Sequence, residues 1–305
     1  MSGIINADRR DRALGAFIGL AVGDAVGTTV EFRPRGSFPP MIDMVGGGPF
    51  RLAPGQWTDD TSMAVCLAEN LAAHPELDPH DLMARFLAWR DHGVNSPTGR
   101  CFDIGITTSS ALDRFRRSQD PMAGETDPRA AGNGSVMRLA PVALRWWSDP
   151  AKAEGIARRQ SRTTHGAAEA VDGCALLTRV LCRLIAGEGK QALNVDDPEW
   201  PPSVRAIGQG EWRGKMETAI RSSGYVVHTL EAAFWVVDQA ADFRAAVLAA
   251  ANLGDDADTV AAVTGQLAGA LWGYSVIPDA WRARLHDHDR LVDLGAALFD
   301  AGSAA

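Results

Sequence analysis

An all-α fold is predicted by three observations. Apolar residues recur at three and four positions through most of the chain, period-2 alternation of the kind that marks strands is scarce, and the glycines of the first apolar segment fall at spacing four. The count of such segments predicts one compact helical domain covering residues 1–305.

The first helix is expected over Arg10 to Val26. Gly15, Gly19, Gly23 and Gly27 put a smooth stripe on one of its faces. Each interior glycine costs about 1 kcal/mol of helix propensity. The stripe therefore needs a packing reason, and close approach of a neighbouring helix or ligand supplies one. Asp24 and the charged flanks exclude the membrane dimerisation that the same spacing would suggest in lipid.

After Asp60, Met63, Leu67 and Leu71 define the core-facing stripe of a second helix ending near His74-Pro75, so Asp59 and Asp60 lie at its entrance. Further helices are expected at Asp81 to Asp91, Met137 to Trp146, His165 to Ile185, Tyr225 to Ala240 and Phe243 to Ala251. A last one carries Val260, Val263, Leu267 and Leu271 on one face, Gly265 and Gly269 as small contacts, and Asp256, Asp258 and Thr259 at its N-terminus. Gly124 to Gly134 reads as loop. Gly187 to Gly224 is polar and broken by Asp196-Asp197-Pro198-Glu199-Trp200-Pro201-Pro202, which predicts a long surface connection or lid-like insertion, too short for a second domain.

Composition narrows the function classes. With 305 residues, 46% hydrophobic and 22% charged, the chain has the profile of a folded globular protein. A formal charge of −8 argues against nonspecific nucleic-acid binding, which needs clustered Lys and Arg. Cys66, Cys101, Cys174 and Cys182 show neither zinc spacing nor a disulfide framework and read as reduced thiols. Met1 to Asp11 lacks an apolar h-region, and no uninterrupted apolar run reaches bilayer length, so no transmembrane segment and a cytoplasmic location are expected.

Two acidic clusters carry the chemistry: Trp57-Thr58-Asp59-Asp60-Thr61 and Gly254-Asp255-Asp256-Ala257-Asp258-Thr259. Carboxylates packed this closely raise one another's pKa and destabilise the fold unless a cation or proton sits between them. Their oxygens are hard ligands and the clusters contain no Cys or His, so magnesium or manganese is expected rather than zinc or copper. The competing reading makes Asp59 and Asp256 or Asp258 ordinary helix caps.

The chain resembles the ADP-ribosylglycohydrolases, most closely the dinitrogenase reductase activating branch. The resemblance spans nearly the whole sequence and rests on Gly19-Leu20-Ala21-Val22-Gly23-Asp24-Ala25-Val26-Gly27 followed by Glu31, on Trp57 to Thr61, and on Cys101-Phe102-Asp103-Ile104-Gly105. It continues through Gly132-Asn133-Gly134-Ser135, Ser161-Arg162-Thr163-Thr164-His165, Gly224 to Ala233 and Gly254 to Thr259, in the family's order.

The resemblance implies a single compact orthogonal helical bundle with a binuclear Mn or Mg site in a cleft. Thr58, Asp59 and Asp60 would bind one ion, Glu31, Asp256 and Thr259 the other, with Asp258 bridging. The implied reaction is hydrolysis of the N-glycosidic bond between ADP-ribose and an arginine guanidinium, through an oxocarbenium-like transition state. Asp103, set between Phe102 and Ile104, is the expected catalytic carboxylate. Glu31 is open between ligand and acid/base.

Gly132, Asn133, Gly134 and Ser135 lead into a helix and make a nest of N–H groups suited to pyrophosphate or ribose. By the resemblance, His165 is a substrate-pocket residue and Tyr225, one of two tyrosines, touches the ligand; His228 and Glu231 share its helical face. The expected partner is an ADP-ribosylated protein, dinitrogenase reductase in the resembled branch, where a PII-type protein regulates. Other readings are hydrolysis of ADP-ribosylserine or O-acetyl-ADP-ribose, whose aglycones metal ligands do not read, and a silent ADP-ribose-binding module.

Overall fold

The computed structural model describes residues 2–74 and 76–303, with side chains from Asn6 onward. Pro75, expected at the end of the second helix, and the domain limits 1 and 305 lie outside the described residues. Within them the chain is all-α, with isolated β-bridges and no strand.

Thirteen helices follow one another among the described residues: α1 (Ser2–Gly27), α2 (Asp59–Ala73), α3 (Pro79–His92), α4 (Ile106–Ser118), α5 (Ala140–Trp146), α6 (Pro150–Thr164) and α7 (Ala168–Ala186). Then come α8 (Pro202–Gln209), α9 (Val226–Gln239), α10 (Phe243–Ala251), α11 (Ala257–Trp272), α12 (Asp279–Arg284) and α13 (His288–Ser303).

The α1–α11 pair is the spine, and the glycine stripe explains it. A Cβ added at Gly15, Gly19, Gly23 or Gly27 would stand 2.2, 2.2, 2.0 or 2.3 Å from the carbonyl oxygens of Gly269, Gly265, Ala261 and Ala257 respectively. The two backbones thus touch along more than three turns of α1, from Gly15 to Gly27, at a distance only residues without a Cβ permit. Because α1 leads to Glu31 and α11 begins after Asp256, the same contact sets those acids side by side. No transmembrane segment was expected; Asn6–Val30 is long and apolar enough to cross a membrane by length and composition, and 94% of its most apolar window is buried inside the protein.

Several helices were not expected from apolar recurrence. α6 shows why: its buried face carries Gln160, Ser161, Thr163 and Thr164 beside Ala153, Ile156 and Ala157, so polarity hides its periodicity. His165 accordingly ends α6, as its C-cap, and does not open α7. α4, α8, α12 and α13 were also not expected, although the faces they bury are mainly apolar.

The expected surface insertion at 187–224 is also corrected. Ala192, Leu193, Trp200, Val204, Ile207, Trp212 and Ile220 are buried, and Arg179 of α7 stacks its guanidinium 4.6 Å from the Trp200 ring. Proline and the paired acids break regular structure there, as read, but the apolar residues between them pack into the core.

Candidate metal centre

Both acidic clusters stand at helix N-termini and neither is spent on capping. Thr58 and Asp256 occupy the N-cap positions of α2 and α11, and neither side chain makes a cap hydrogen bond. The Thr58 hydroxyl instead lies 3.0 Å from Asp24 Oδ1, 3.3 Å from Asp60 Oδ2 and 3.3 Å from Asp258 Oδ2. Its proton satisfies Asp24, which leaves its lone pairs facing the acids.

One carboxylate oxygen each from Asp59, Asp60 and Asp258 lie within 4.8 Å of one another, and so do those of Glu31, Asp103 and Asp258. Asp258 is common to both groups. Asp256 was expected in the second group, where the structure puts Asp103; Asp256 sits beside it, accepting from Asn133 Nδ2 at 2.6 Å. The Thr259 hydroxyl is 3.4 Å from Asp60 Oδ2.

Reciprocal backbone bonds hold the halves together: Phe32 N–H donates to Asp255 O at 2.7 Å, and Asp255 N–H donates to Arg33 O at 2.8 Å. Phe32, Asp103 and Asp255 all adopt left-handed backbone, with φ of +61°, +60° and +52°. Such positions are costly except for Gly, Asn and Asp, and strain of this kind is tolerated where surrounding bonds impose it.

The electrostatics are those of a site built for positive charge. Burial, followed by repulsion from neighbouring carboxylates, raises Glu31 to about 10 and lifts Asp59, Asp60 and Asp258 well above the usual carboxylate range. Burial raises Asp103 to about 7, against the hydrogen bonds with Asp258 and Glu31 that lower it. Buried Asp60 Oδ1, Asp258 Oδ1 and Glu31 Oε2 have no hydrogen-bond donor among the described residues. Unsatisfied carboxylate oxygens in an oxygen-only cluster fit one or two hard divalent cations.

Above these acids opens a cleft of about 250 Å³ whose wall includes Glu31, Asp59, Asp103, Asp256, Asp258 and Thr259 on the acidic side and Gly132, Asn133, Gly134 and His165 opposite. The glycines are there for His165: a Cβ on Gly134 would meet the ring's Cε1 at 2.7 Å, and one on Gly132 its Nε2 at 3.3 Å. Thr58 and Asp60 lie beneath the floor, 1% and 0% exposed.

Two expected ligand contacts are not brought to the cleft. Ser135 is fully buried behind it, its hydroxyl accepting from Ser161 Oγ at 2.9 Å. The Tyr225 hydroxyl turns away to Glu169 Oε2 at 2.7 Å, while its backbone pairs with Gly132. His228 bonds Ser223, and Glu231 pairs with Lys215. Sequence reasoning placed a helix start shortly after Ser135 and at Tyr225 but had no means of giving a side chain's direction.

One residue was read from the sequence without a role at the site. Asp24, fully buried in α1, accepts from the N–H and hydroxyl of Thr58 and from the N–H and hydroxyl of Thr61, at distances from 2.6 to 3.1 Å. Burial raises it to about 6 and these bonds lower it. Its signal was present: a lone acid in an otherwise apolar stretch is too costly to bury without a purpose.

The ADP-ribosylglycohydrolase family profile matches residues 5–305. The chain is 46% identical over 297 residues to the ADP-ribosylarginine hydrolase Tri1 of Serratia proteamaculans (strain 568), covering 97% of this chain and 81% of that one. It is 35% identical to the ADP-ribosyl-[dinitrogen reductase] glycohydrolase of Rhodospirillum rubrum, over 90% of each chain. A solved structure described as an ADP-ribosylglycohydrolase-related protein complex superposes with a TM-score of 0.86 at 42% identity, covering 97% of this chain and 99% of its own. With its helical bundle, its carboxylate-lined cleft and its full-length match in agreement, the chain belongs to the ADP-ribosylglycohydrolase family.

Proposed function

We propose that this protein hydrolyses the N-glycosidic bond joining ADP-ribose to an arginine side chain of a modified protein. The observation that carries the reading is the pair of carboxylate groups sharing Asp258 at the base of a cleft open on one side. The relatives named for the arginine linkage, at 46% identity, support it over the nitrogenase-directed relative at 35%, so the linkage is the better supported feature and dinitrogenase reductase with a PII-type regulator the less supported target.

Thr58, Asp59, Asp60, Glu31, Asp256, Asp258 and Thr259 would hold two Mn or Mg ions, and Asp103 stands within ligand reach of the same group. Bound ions supply fixed positive charge that polarises the ribose oxygens and lowers the pKa of water. Cleavage passes through an oxocarbenium-like transition state, which the surrounding carboxylates favour electrostatically. Asp103, half-buried and raised by burial to about 7 in the metal-free protein, is the carboxylate that exchanges the proton the reaction requires. Glu31 faces the same space as ligand and as a second acid/base. Asn133 fixes Asp256 and lines the opposite wall, and His165 presents a ring nitrogen beside it.

Release of ADP-ribose from ADP-ribosylarginine and from ADP-ribosylserine, compared in the same metal-loaded preparation, tests the proposal. Turnover of the arginine linkage at least tenfold above the serine linkage is expected. Preference for serine would move the substrate, and binding of ADP-ribose without turnover of either would make the chain a reader.

A further inference from the structure

Arg138 is the only fully buried arginine described, and the reaction sketched above gives it no task. Burying a guanidinium is expensive; here no carboxylate hydrogen-bonds it, and Asp59 favours its charge only from a distance. Its Nε donates to Gln160 Oε1 at 2.8 Å; its Nη2 donates to Gln160 O at 3.0 Å and Thr164 Oγ1 at 2.9 Å, with Thr163 Oγ1 at 3.4 Å. The guanidinium carbon lies 4.6 Å from the Phe86 ring centre. All of these partners are neutral.

The contact with Thr164 fixes more than Arg138. Thr164 Oγ1 is also 2.9 Å from His165 Nδ1, and both residues are buried. A guanidinium has only donors, so the Thr164 oxygen accepts from Arg138. The Thr164 hydrogen then has one acceptor within reach among the described residues, His165 Nδ1. Were Nδ1 protonated, the Thr164 oxygen would receive two donors while its own hydrogen pointed at nothing, a buried unsatisfied group. Nδ1 is therefore the acceptor and Nε2 carries the proton.

His165 Nε2 borders the cleft between Gly132 and Gly134 and has no protein partner among the described residues. We infer that Arg138 is a positioning residue that acts through Thr164 to lock His165 as the Nε2–H tautomer, a neutral hydrogen-bond donor aimed at a ligand oxygen in the cleft. Burial, and then the charge of Arg138, lowers His165 to about 3, so the ring stays neutral whenever the enzyme is folded and working. A neutral donor suits this place. A cationic imidazolium would oppose the oxocarbenium charge that the acidic wall is built to stabilise.

The inference rests on the proposed function only for what occupies the cleft, and its primary test needs no substrate. In ¹⁵N-histidine-labelled protein, the ring-nitrogen resonances of His165 are expected to report Nε2–H over the whole pH range of the folded state. Thr164→Ser, which keeps the hydroxyl, should preserve that pattern. Thr164→Val, which is nearly isosteric, should give mixed or reversed tautomers and lower kcat/KM on ADP-ribosylarginine about 10–100-fold, the size seen when the partner orienting a metal-bound histidine is removed. A wild-type spectrum showing Nδ1–H would overturn the relay, and so would a folded Thr164→Val variant with unchanged tautomer and kinetics. Failure of arginine-linkage hydrolysis with the Nε2–H pattern intact would refute the proposed substrate and leave the relay standing.

Discussion

The carboxylate of Asp24 takes both the backbone N–H and the hydroxyl of Thr58, at 2.9 and 3.0 Å, and so ties the last turn of α1 to the first residue before α2. Thr61 adds two more donors to the same carboxylate. Four donors converging on one buried acid orient the Thr58 hydroxyl toward Asp60 and Asp258, so the geometry of the acidic site depends on a residue that does not line the cleft.

Asp24→Asn is expected to keep the shape and reverse half the polarity, since an amide NH₂ would confront N–H donors of Thr58 or Thr61. Stability should fall by about 1–3 kcal/mol, the cost of unmade buried hydrogen bonds. Mn affinity should fall about 10–100-fold. Denaturant midpoints and calorimetric metal titration measure the two effects, and a variant indistinguishable from wild type in both would remove Asp24 from the account.

Gly23→Ala places a methyl 2.0 Å from the Ala261 carbonyl oxygen, on a backbone that cannot retreat without parting α1 from α11. Helix propensity alone would favour Ala by up to about 1 kcal/mol. The clash is expected to win, with a net loss of about 1–3 kcal/mol or more. The control is Gly155→Ala in α6, where an added Cβ meets nothing within 4 Å; that change should be neutral or stabilising.

Metal-free protein should lose stability as pH rises. Asp24, Asp103 and Glu31 are raised to about 6, 7 and 10, so the folded state holds protons that the unfolded state releases near pH 4. Their contribution is fully present below the unfolded pKa and declines as pH climbs through the folded values. The lowered carboxylates Asp81, Asp196 and Asp197 act in the opposite sense below about pH 4, and His165, lowered from 6.5 to about 3, does so between those two values and offsets part of the loss. Melting in EDTA should therefore occur at lower temperature at pH 8 than at pH 5, and saturating Mn or Mg should abolish that difference.

Trp200→Ala asks whether the 187–224 segment belongs to the core. The ring is 3% exposed, so truncation should cost about 3–5 kcal/mol. A surface connection would lose less than about 1 kcal/mol.

Much of this was legible in the sequence because the signals were local. Gly15, Gly19, Gly23 and Gly27 announce a close helix contact by their spacing, and Asp59, Asp60, Asp256 and Asp258 mark themselves by mutual repulsion before two apolar helices. What stayed hidden was non-local. The partner of the glycine stripe, the polar inner face of α6, the outward turn of Tyr225 and the retreat of Ser135 behind the cleft depend on contacts between distant segments. Trp200 and Trp212 lie in a polar stretch whose composition outweighs them until the fold shows where they pack.

The central claim is that two groups of carboxylates, joined through Asp258, form one metal-dependent hydrolytic centre. Its most direct test counts bound Mn and ADP-ribosylarginine turnover together, in wild-type protein, after EDTA, and in Asp258→Asn. Two ions per wild-type chain, turnover lost in EDTA and restored by metal, and a variant that folds but holds fewer ions and releases no ADP-ribose are the predicted results. Undiminished turnover in EDTA, or an Asp258→Asn variant that binds two ions and works at the wild-type rate, would contradict it.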